Sequence, residues 1–311
     1  AIGGDVKLGL TSALNLDLTF NPDFSQVEVD RQVTNLGRFE IFFPERRQFF
    51  LENADLFSGF GSSRQNPFFS RRIGVATDTT SGSTIQNQID YGARLSGKVG
   101  ENLRVGLLSM STGQQVASGS PVFNYSVAAL QQKIGSKSNV GVIFVNKQAI
   151  NGDKESEVYN SYNRILGFDY NLNSKDNVWS GKAFAHFAIT QDDVEDKYST
   201  AVQLERQTVR TKYELFGNII GQGFDAEVGF TPRKDIATIS PEAEFFFYPK
   251  KGKINRYSLN FDFNAVYQIG KNDNEILDPW GLAEWEARAF MSFNMQNNSN
   301  YFVFASTEEV T

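Results

Sequence analysis

The chain has 311 residues, a net charge of −6 and no cysteine. The acidic balance disfavours a nucleic-acid partner, and the length fits one large domain. Phenylalanine alone contributes 28 residues, although the mean hydropathy is −0.36. A polar average with many aromatics is typical of a transmembrane β-barrel, in which lumen-facing and lipid-facing residues alternate. Runs of about 18 apolar residues do not occur, so the sequence predicts no transmembrane helix.

Period-two alternation of apolar and polar residues is the strongest pattern along the chain. In 257–269, Leu259 and Phe261 alternate with Asn260 and Asp262, which indicates a strand with one apolar and one polar face. Several such runs reach the 9–11 residues that a strand needs to cross a membrane. We predict strands near 5–11, 14–20, 68–74, 87–97, 102–112, 121–134, 138–148, 157–171, 177–190, 199–220, 224–231, 236–248, 254–270, 281–295 and 300–306.

The connections between these strands alternate between short and long. Short connections such as 98–101 and 135–137 are followed by long ones such as 113–120 and 149–156. Outer-membrane barrels are built in this way, with tight periplasmic turns and longer extracellular loops. We therefore predict an all-β fold, a transmembrane antiparallel up-and-down β-barrel of about 14–16 strands. It would occupy residues 1–311 in the bacterial outer membrane and be incomplete at both ends.

One stretch, 20–57, interrupts the hairpins with seven acids, four arginines and eight phenylalanines. If the turn near Ser12 is periplasmic, strand 14–20 ends outside and strand 68–74 starts inside, so the chain between them crosses the membrane. A lipid-facing crossing by so many charges is very costly, whereas irregular backbone is tolerated inside protein. We predict that residues 21–66 form a plug-like segment in the lumen.

The acids and arginines of this stretch predict a charge network. Arginine offers a planar fork of donors to carboxylates, and such pairs must be fully satisfied in a water-poor interior. The network serves either as a plug that holds the barrel shut or as the lining of a ligand or ion path. Its predicted members are Asp23, Glu28, Asp30, Arg31, Arg38, Glu40, Glu45, Arg46, Arg47, Glu52, Arg71 and Arg72.

Aromatic residues near strand ends predict a girdle at the membrane interfaces. Trp179, Trp280 and Trp285 are the candidates, because indole rings favour the headgroup level. Ordinary sheet packing is the alternative interpretation of these tryptophans.

The sequence offers little for catalysis or metal binding. His186 is the only histidine, and we predict that it lies on the polar face of a strand as a lumen or wall residue. Phosphate loops and dinucleotide fingerprints are absent, so we predict no cofactor. Two carboxylates can hydrolyse a glycoside, but nothing in the sequence selects one pair. We therefore predict a protein without enzymatic activity.

Two long motifs resemble a known family. NPDFSQVEVDRQVTNLGRFEIFFPERRQFFLEN with PFFSRRIG at 67–74, and GFDAEVGFTPRKDIATISPEAEFFFYP at 223–249, resemble a family of uncharacterised Gram-negative outer-membrane proteins. In that family a periplasmic module similar to carbohydrate-binding family 9 precedes a C-terminal β-barrel. The module's sequence is absent from these 311 residues. The resemblance implies a barrel and, through the module, a link to carbohydrate or cell-wall binding.

These observations favour a plugged or gated channel, or a translocation-associated protein. Its expected partners are outer-membrane lipid, other outer-membrane or periplasmic proteins, and carbohydrate. Three alternatives stay open: a glycan-active outer-membrane enzyme that uses lumen carboxylates, a structural barrel subunit of a larger membrane complex, and a soluble β-sandwich.

Overall fold

The computed structural model describes residues 2–22, 42–77, 84–115, 118–151, 161–270 and 281–310. The fold is all-β, with two one-turn helices, α1 (Gln48–Leu51) and α2 (Asp55–Ser58). Within the described ranges, no helix is long and apolar enough to span a membrane. The strands are β1 (Gly4–Thr11), β2 (Leu14–Phe20), β3 (Val75–Thr77), β4 (Thr84–Gln86), β5 (Ile89–Val99), β6 (Leu103–Thr112), β7 (Val122–Ile134), β8 (Ser138–Asn151), β9 (Tyr162–Asn173), β10 (Trp179–Thr190), β11 (Tyr198–Gln207), β12 (Thr211–Ile220), β13 (Ile236–Phe247), β14 (Ile254–Gln268), β15 (Gly281–Met295) and β16 (Asn300–Val310).

Fourteen of these strands form one antiparallel sheet in the order β1-β2-β5-β6 and onward in sequence to β16. Strands β3 and β4 form a separate two-stranded sheet. The large sheet is a simple meander, except that β2 pairs with β5 across an intervening excursion of the chain. Among the described residues no pairing joins β1 to β16, so these two strands are the edges of the sheet.

The connections of the meander differ in length between its two ends. The short connections at one end, which we call the short rim, are 12–13, 100–102, 135–137, 174–178, 208–210, 248–253 and 296–299. The opposite end, the long rim, has the longer connections 113–121, 152–161, 191–197, 221–235 and 269–280. The predicted alternation of short and long connections is therefore confirmed.

The two faces of the sheet have opposite character. We call the face that carries Asp17 and Arg94 the inner face. The cross-strand pairing of residues shows that Asp169 and Ser199 lie on this same face. All four of these polar residues are buried. The other face, the outer face, presents large apolar side chains to the exterior. Among them are Leu107, Leu130, Val142, Phe168, Phe187, Val202, Leu215, Ile239 and Phe261, each 39–59 % exposed.

Three of the predicted strands are wrong. Residues 68–74 form a 3-10 turn at Ser70–Arg72 rather than a strand. The predicted strand 199–220 is two strands, β11 and β12, because the Thr208 side chain closes a turn to Thr211. Residues 224–231 lie in the connection 221–235, although their alternation does bury one set of side chains.

These errors overturn the expected membrane crossing between β2 and the next strand. Phe20, at the end of β2, pairs with Tyr91 near the start of β5. The excursion 21–88 therefore leaves and rejoins the sheet at the same end, the long rim. The argument for an odd number of crossings is wrong, because it depended on a strand at 68–74 that does not form.

The hydrophobic core lies between this excursion and the inner face. Leu56, Phe57 and Phe60 from the excursion are buried in one cluster with strand residues such as Met110 and Ile143. Glycines on the strands provide the space for the rings. A Cβ at Gly106 would lie 2.8 Å from the Phe57 ring, and one at Gly141 would lie 2.8 Å from the Phe60 ring. Burying each such aromatic ring stabilises the fold by about 1.5–3 kcal/mol.

Candidate functional site

Residues 42–77, which we call the covering segment, lie against the inner face and bring the charged residues of the molecule together. The predicted plug was 21–66. Of that range, 23–41 lie outside the described residues, and 42–66 pack on the polar face of the sheet. Four groups of charged contacts in the described part of the chain join the segment to itself or to the inner face.

The first contact closes the segment on itself through Glu45 and Arg47. Arg47 Nη2 donates to Glu45 Oε2 at 2.7 Å, and Arg47 Nε donates to Glu45 Oε1 at 2.9 Å. Ser70 Oγ donates to Glu45 Oε2 at 2.6 Å. Arg47 Nη1 donates to the carbonyl oxygen of Ile73 at 2.7 Å. Glu45 and Arg47 thus form a bidentate ion pair at one end of the covering segment, a strong form of such a pair, and their hydrogen bonds with Ser70 and Ile73 join it to the other end.

The environment of Glu45 fixes its charge. Burial by itself raises the pKa of a carboxyl group. The hydrogen bonds and charge of Arg47, with the Ser70 hydroxyl, outweigh that effect and hold the pKa of Glu45 below its usual value. Glu45 is therefore ionised, with both oxygens occupied by donors. This geometry favours a structural role over that of a general acid, which needs a raised pKa.

Arg71 and Arg72 extend the same contact. Arg71 Nη1 donates to the carbonyl oxygen of Pro44 at 2.9 Å. Arg72 Nε donates to the carbonyl oxygen of Gly229 at 3.1 Å, which joins the covering segment to the connection 221–235. Asn66 and Phe230 also exchange backbone hydrogen bonds, of 3.0 and 2.8 Å. The connection thus packs on the segment from the long rim.

The second contact is centred on Arg94, whose side chain is buried on β5. It donates to Asp17 Oδ2 at 2.8 Å and to the carbonyl oxygen of Glu52 at 2.8 Å, and it also donates to the carbonyl oxygen of Phe49. The Glu52 carboxylate pairs with Lys7 on β1. One arginine fork therefore joins β2, β5 and the end of α1.

The third contact joins α2 to β6. Arg104 donates to both oxygens of Asp55, at 2.7 and 3.1 Å. The hydrogen bond from Arg104 is the main cause that lowers the pKa of Asp55. Since the Asp55 side chain is 67 % exposed, this pair is weaker than the buried ones.

The fourth contact is the most deeply buried. Asp169 Oδ2 accepts from the backbone N–H of Gly61 at 2.8 Å, and Asp169 Oδ1 lies 2.9 Å from His186 Nε2. The side chains of Asp169 and His186 are 1 % and 0 % exposed. Lys182 Nζ lies 3.3 Å from Asp169 and donates to the carbonyl oxygen of Gly59 at 2.6 Å. His186 is thus a wall residue of the inner face, as predicted.

A cavity of about 710 Å³ remains beside the segment. It lies between residues 62–65 and the inner faces of β11–β14. Gln65 lines this cavity, donates to Ser199 Oγ at 2.9 Å and accepts from Asn218 Nδ2 at 2.9 Å. The covering segment therefore fills one part of the interior space and leaves another part open.

The structure places the described members of the predicted network in two groups. Glu45, Arg47, Arg71 and Arg72 form one local network, and Arg46 contributes its backbone N–H to Glu45. Glu52 belongs to the separate Arg94 contact. The remaining members of the predicted network, together with one tryptophan, lie outside the described residues: Asp23, Glu28, Asp30, Arg31, Arg38, Glu40 and Trp280.

The two described tryptophans occupy different positions. Trp179 is the first residue of β10, at the short rim, and is 41 % exposed. Trp285 lies within β15, where its Nε1 donates to Glu309 at 2.9 Å. Their place in a membrane-interface girdle stays a prediction.

The predicted network omits the strand residues that hold the segment: Asp17, Arg94, Arg104, Asp169 and Lys182. The signal that could have found them is a charge at a polar position in the middle of an alternating run, as at Arg94. Such charges need partners, and the segment provides those partners.

The fold and these contacts define an all-β protein built on one wide antiparallel sheet, whose polar face is closed by a charged, aromatic-rich segment. Residues 1–306 match the family described as "Domain of unknown function (DUF5916)". The chain belongs to this family. Searches of curated proteins and of solved structures found no match to the chain.

Proposed function

We propose that the chain is a bacterial outer-membrane protein whose sheet forms a barrel wall, and that the covering segment closes its interior as a gate. The observation that carries the proposal is the contrast between an exposed apolar outer face and a buried, charged inner face. A water-soluble sheet exposes its polar face and buries its apolar one. Here the apolar outer face is exposed, and charged residues are buried on the inner face beside the apolar core, as in a wall between lipid and an interior that holds an inserted segment.

The reach of the covering segment supports a curved wall. Glu52 pairs with Lys7 on β1, and Gln65 accepts from Asn218 on β12. In a flat sheet these strands would lie about 43 Å apart, at about 4.8 Å for each of the intervening spacings. The chain from Glu52 to Gln65 contains α2 and a tight turn at its end, so it is too compact for that distance. The inner face therefore curves around the segment.

The contacts of the segment suit a gate more than a catalytic centre. They are ion pairs and hydrogen bonds in which both carboxylate oxygens have partners, as at Glu45 and Asp169. Breaking a buried pair costs about 3–5 kcal/mol, so the closed arrangement is strongly favoured. Movement of the segment, as a whole or at its 62–65 turn, would enlarge the open cavity beside it into a passage.

A disulfide between cysteines introduced in place of Asn66 and Phe230 tests the gate. These residues exchange both backbone hydrogen bonds, and such pairs have Cα atoms about 5.5 Å apart, within the range for a disulfide. The chain has no native cysteine. In planar bilayers, we expect Asn66→Cys/Phe230→Cys to open about tenfold less often when oxidised than when reduced.

The single variant Asn66→Cys is the matched control, and its conductance should not respond to the reductant. Equal opening of the oxidised and reduced pair would contradict the gate. Absence of conductance in every form would contradict the channel itself and would favour a structural subunit.

A further inference from the structure

Four carboxylates lie side by side on the inner face, outside the contacts of the covering segment. Register places Glu205 directly opposite Glu214, Glu214 opposite Glu242, and Glu242 opposite Asp262. We call these four residues the carboxylate row. It crosses four adjacent strands, β11 to β14, and passes through the middle of β13 and β14.

Such a row is unfavourable for the stability of a sheet. Like charges directly opposite on antiparallel strands are destabilising, and here three successive cross-strand pairs are acidic. Among the described residues, two basic side chains pair with the row. Lys212 Nζ lies 3.0, 3.4 and 3.6 Å from Glu214, Glu242 and Glu205, and Arg288 Nε lies 2.7 Å from Asp262. Four acids with two bases leave a net negative charge.

The row faces the part of the interior that the covering segment leaves open. Gln65 of the segment reaches Asn218 on β12, four residues and about 13 Å along the strand from Glu214. Glu214 also lines the 710 Å³ cavity, together with Gln203 and Asn264. The four carboxylate side chains are 15–28 % exposed, so water and ions in the interior have access to them.

A second observation at the row is a buried amide oxygen that lacks a donor among the described residues. Asn260 is 3 % exposed and donates from Nδ2 to Glu242 Oε1 at 2.8 Å. Its Oδ1 is buried and has no hydrogen-bond partner within the described part of the chain. A buried amide oxygen without a partner is unfavourable, and this one belongs to the residue that contacts Glu242 of the row.

We propose that the passage beside the covering segment selects cations, and that the carboxylate row determines this selectivity. This inference rests on the proposed channel function. Rings of acidic side chains select cations in membrane pores, because low-dielectric walls concentrate the field of the acids on the ions that pass. Lys212 reduces the field of three of the four acids and thereby sets the degree of selectivity.

The reversal potential in a KCl gradient across a planar bilayer tests the proposal. The reduced Asn66→Cys/Phe230→Cys protein, in which the segment is free to open, provides the conducting parent. We expect its reversal potential to be shifted from zero toward the equilibrium potential of potassium. Glu214→Gln/Glu242→Gln in the same background should shift the potential toward zero. Lys212→Gln should shift it the opposite way, toward the potassium potential.

Asp193→Asn, on the exposed connection 191–197, is the matched control, since it removes one acid away from the inner face. Its reversal potential should equal that of the parent. A conducting parent without cation preference, or a Glu214→Gln/Glu242→Gln variant with the parent's potential, would overturn this inference while leaving the channel in place. Because the Lys212 and glutamate variants predict shifts of opposite sign, a general loss of folding cannot imitate the expected result.

Discussion

At the scale of single residues, the tightest point of the covering segment is Gly61. Its N–H donates to Asp169, and its φ is +68°, in the left-handed region. A Cβ there would lie 1.9 Å from the carbonyl oxygen of Gln65 and 2.9 Å from His186 Cε1. Both the backbone conformation and the close approach therefore require glycine at this position.

Gly61→Ala tests that contact. We expect a loss of more than about 3 kcal/mol in the free energy of unfolding, since the added methyl group meets backbone and a buried ring. Gly100→Ala is the matched control, because Gly100 has a similar φ of +70° and open space around its Cβ. It should cost about 1–2 kcal/mol. Denaturant unfolding in detergent measures both, and equal losses would contradict the close packing of Gly61.

The pairing of charged residues could be predicted from the sequence only in part. The structure places Glu45 and Arg47 in one ion pair and Arg71 on the neighbouring Pro44 carbonyl, whereas their role as a plug or path lining stays a prediction. Sequence reasoning did not find the pair of Asp17 and Arg94, since that pair depends on the register of β2 against β5. A difference of one residue in register would have placed these charges on opposite faces.

At the scale of elements, the covering segment is closed by the contact between Glu45–Arg47 and the 70–73 turn. The pKa of Glu45 is lowered from the usual 4.5. A carboxyl group with a lowered folded-state pKa stabilises the fold above its unfolded pKa, and this stabilisation is lost as the pH falls through the folded value. Acidification below about pH 4.5 should therefore weaken the closure of the segment.

Glu45→Gln measures this contribution. We expect the variant to be less stable than the native chain by about 1.5–3 kcal/mol at neutral pH, because it loses hydrogen bonds to a charged group. The difference should shrink as the pH falls below 4.5. Thermal unfolding of both proteins across the pH range provides the comparison. A difference that does not change with pH would show that the ionised carboxylate is not what closes the segment.

The strands illustrate what periodicity can and cannot predict. Alternation identified β5 to β10 and β13 to β16 within a few residues, because each has one apolar and one polar face. It failed at Thr208–Arg210, where a threonine hydroxyl closes the turn without glycine or proline. It failed again at 224–231, where alternate residues such as Phe224 and Val228 are buried in the core although the stretch forms no strand.

At the scale of the whole molecule, the outer face of the sheet is apolar and exposed, whereas the covering segment packs on the inner face. The short connections lie at one end of the sheet, and the excursion 21–88 leaves and rejoins the sheet at the other end. The sequence predicted two features of the sheet, the alternation along its strands and the different lengths of the connections at its two ends. It could not predict the path of the excursion, because that path is set by tertiary contacts such as those of Arg94 and Asp169 with the segment.

Quenching of labels at two neighbouring residues of β11 tests most directly whether the outer face meets lipid. Val202 is 59 % exposed on the outer face, whereas Gln203 faces the interior cavity. Single cysteines, Val202→Cys and Gln203→Cys, would be labelled with a fluorophore in liposomes. We predict that a nitroxide on the lipid acyl chains quenches the label at 202, and that a water-soluble quencher reaches the label at 203. Equal quenching of both labels by the water-soluble agent would contradict a membrane wall.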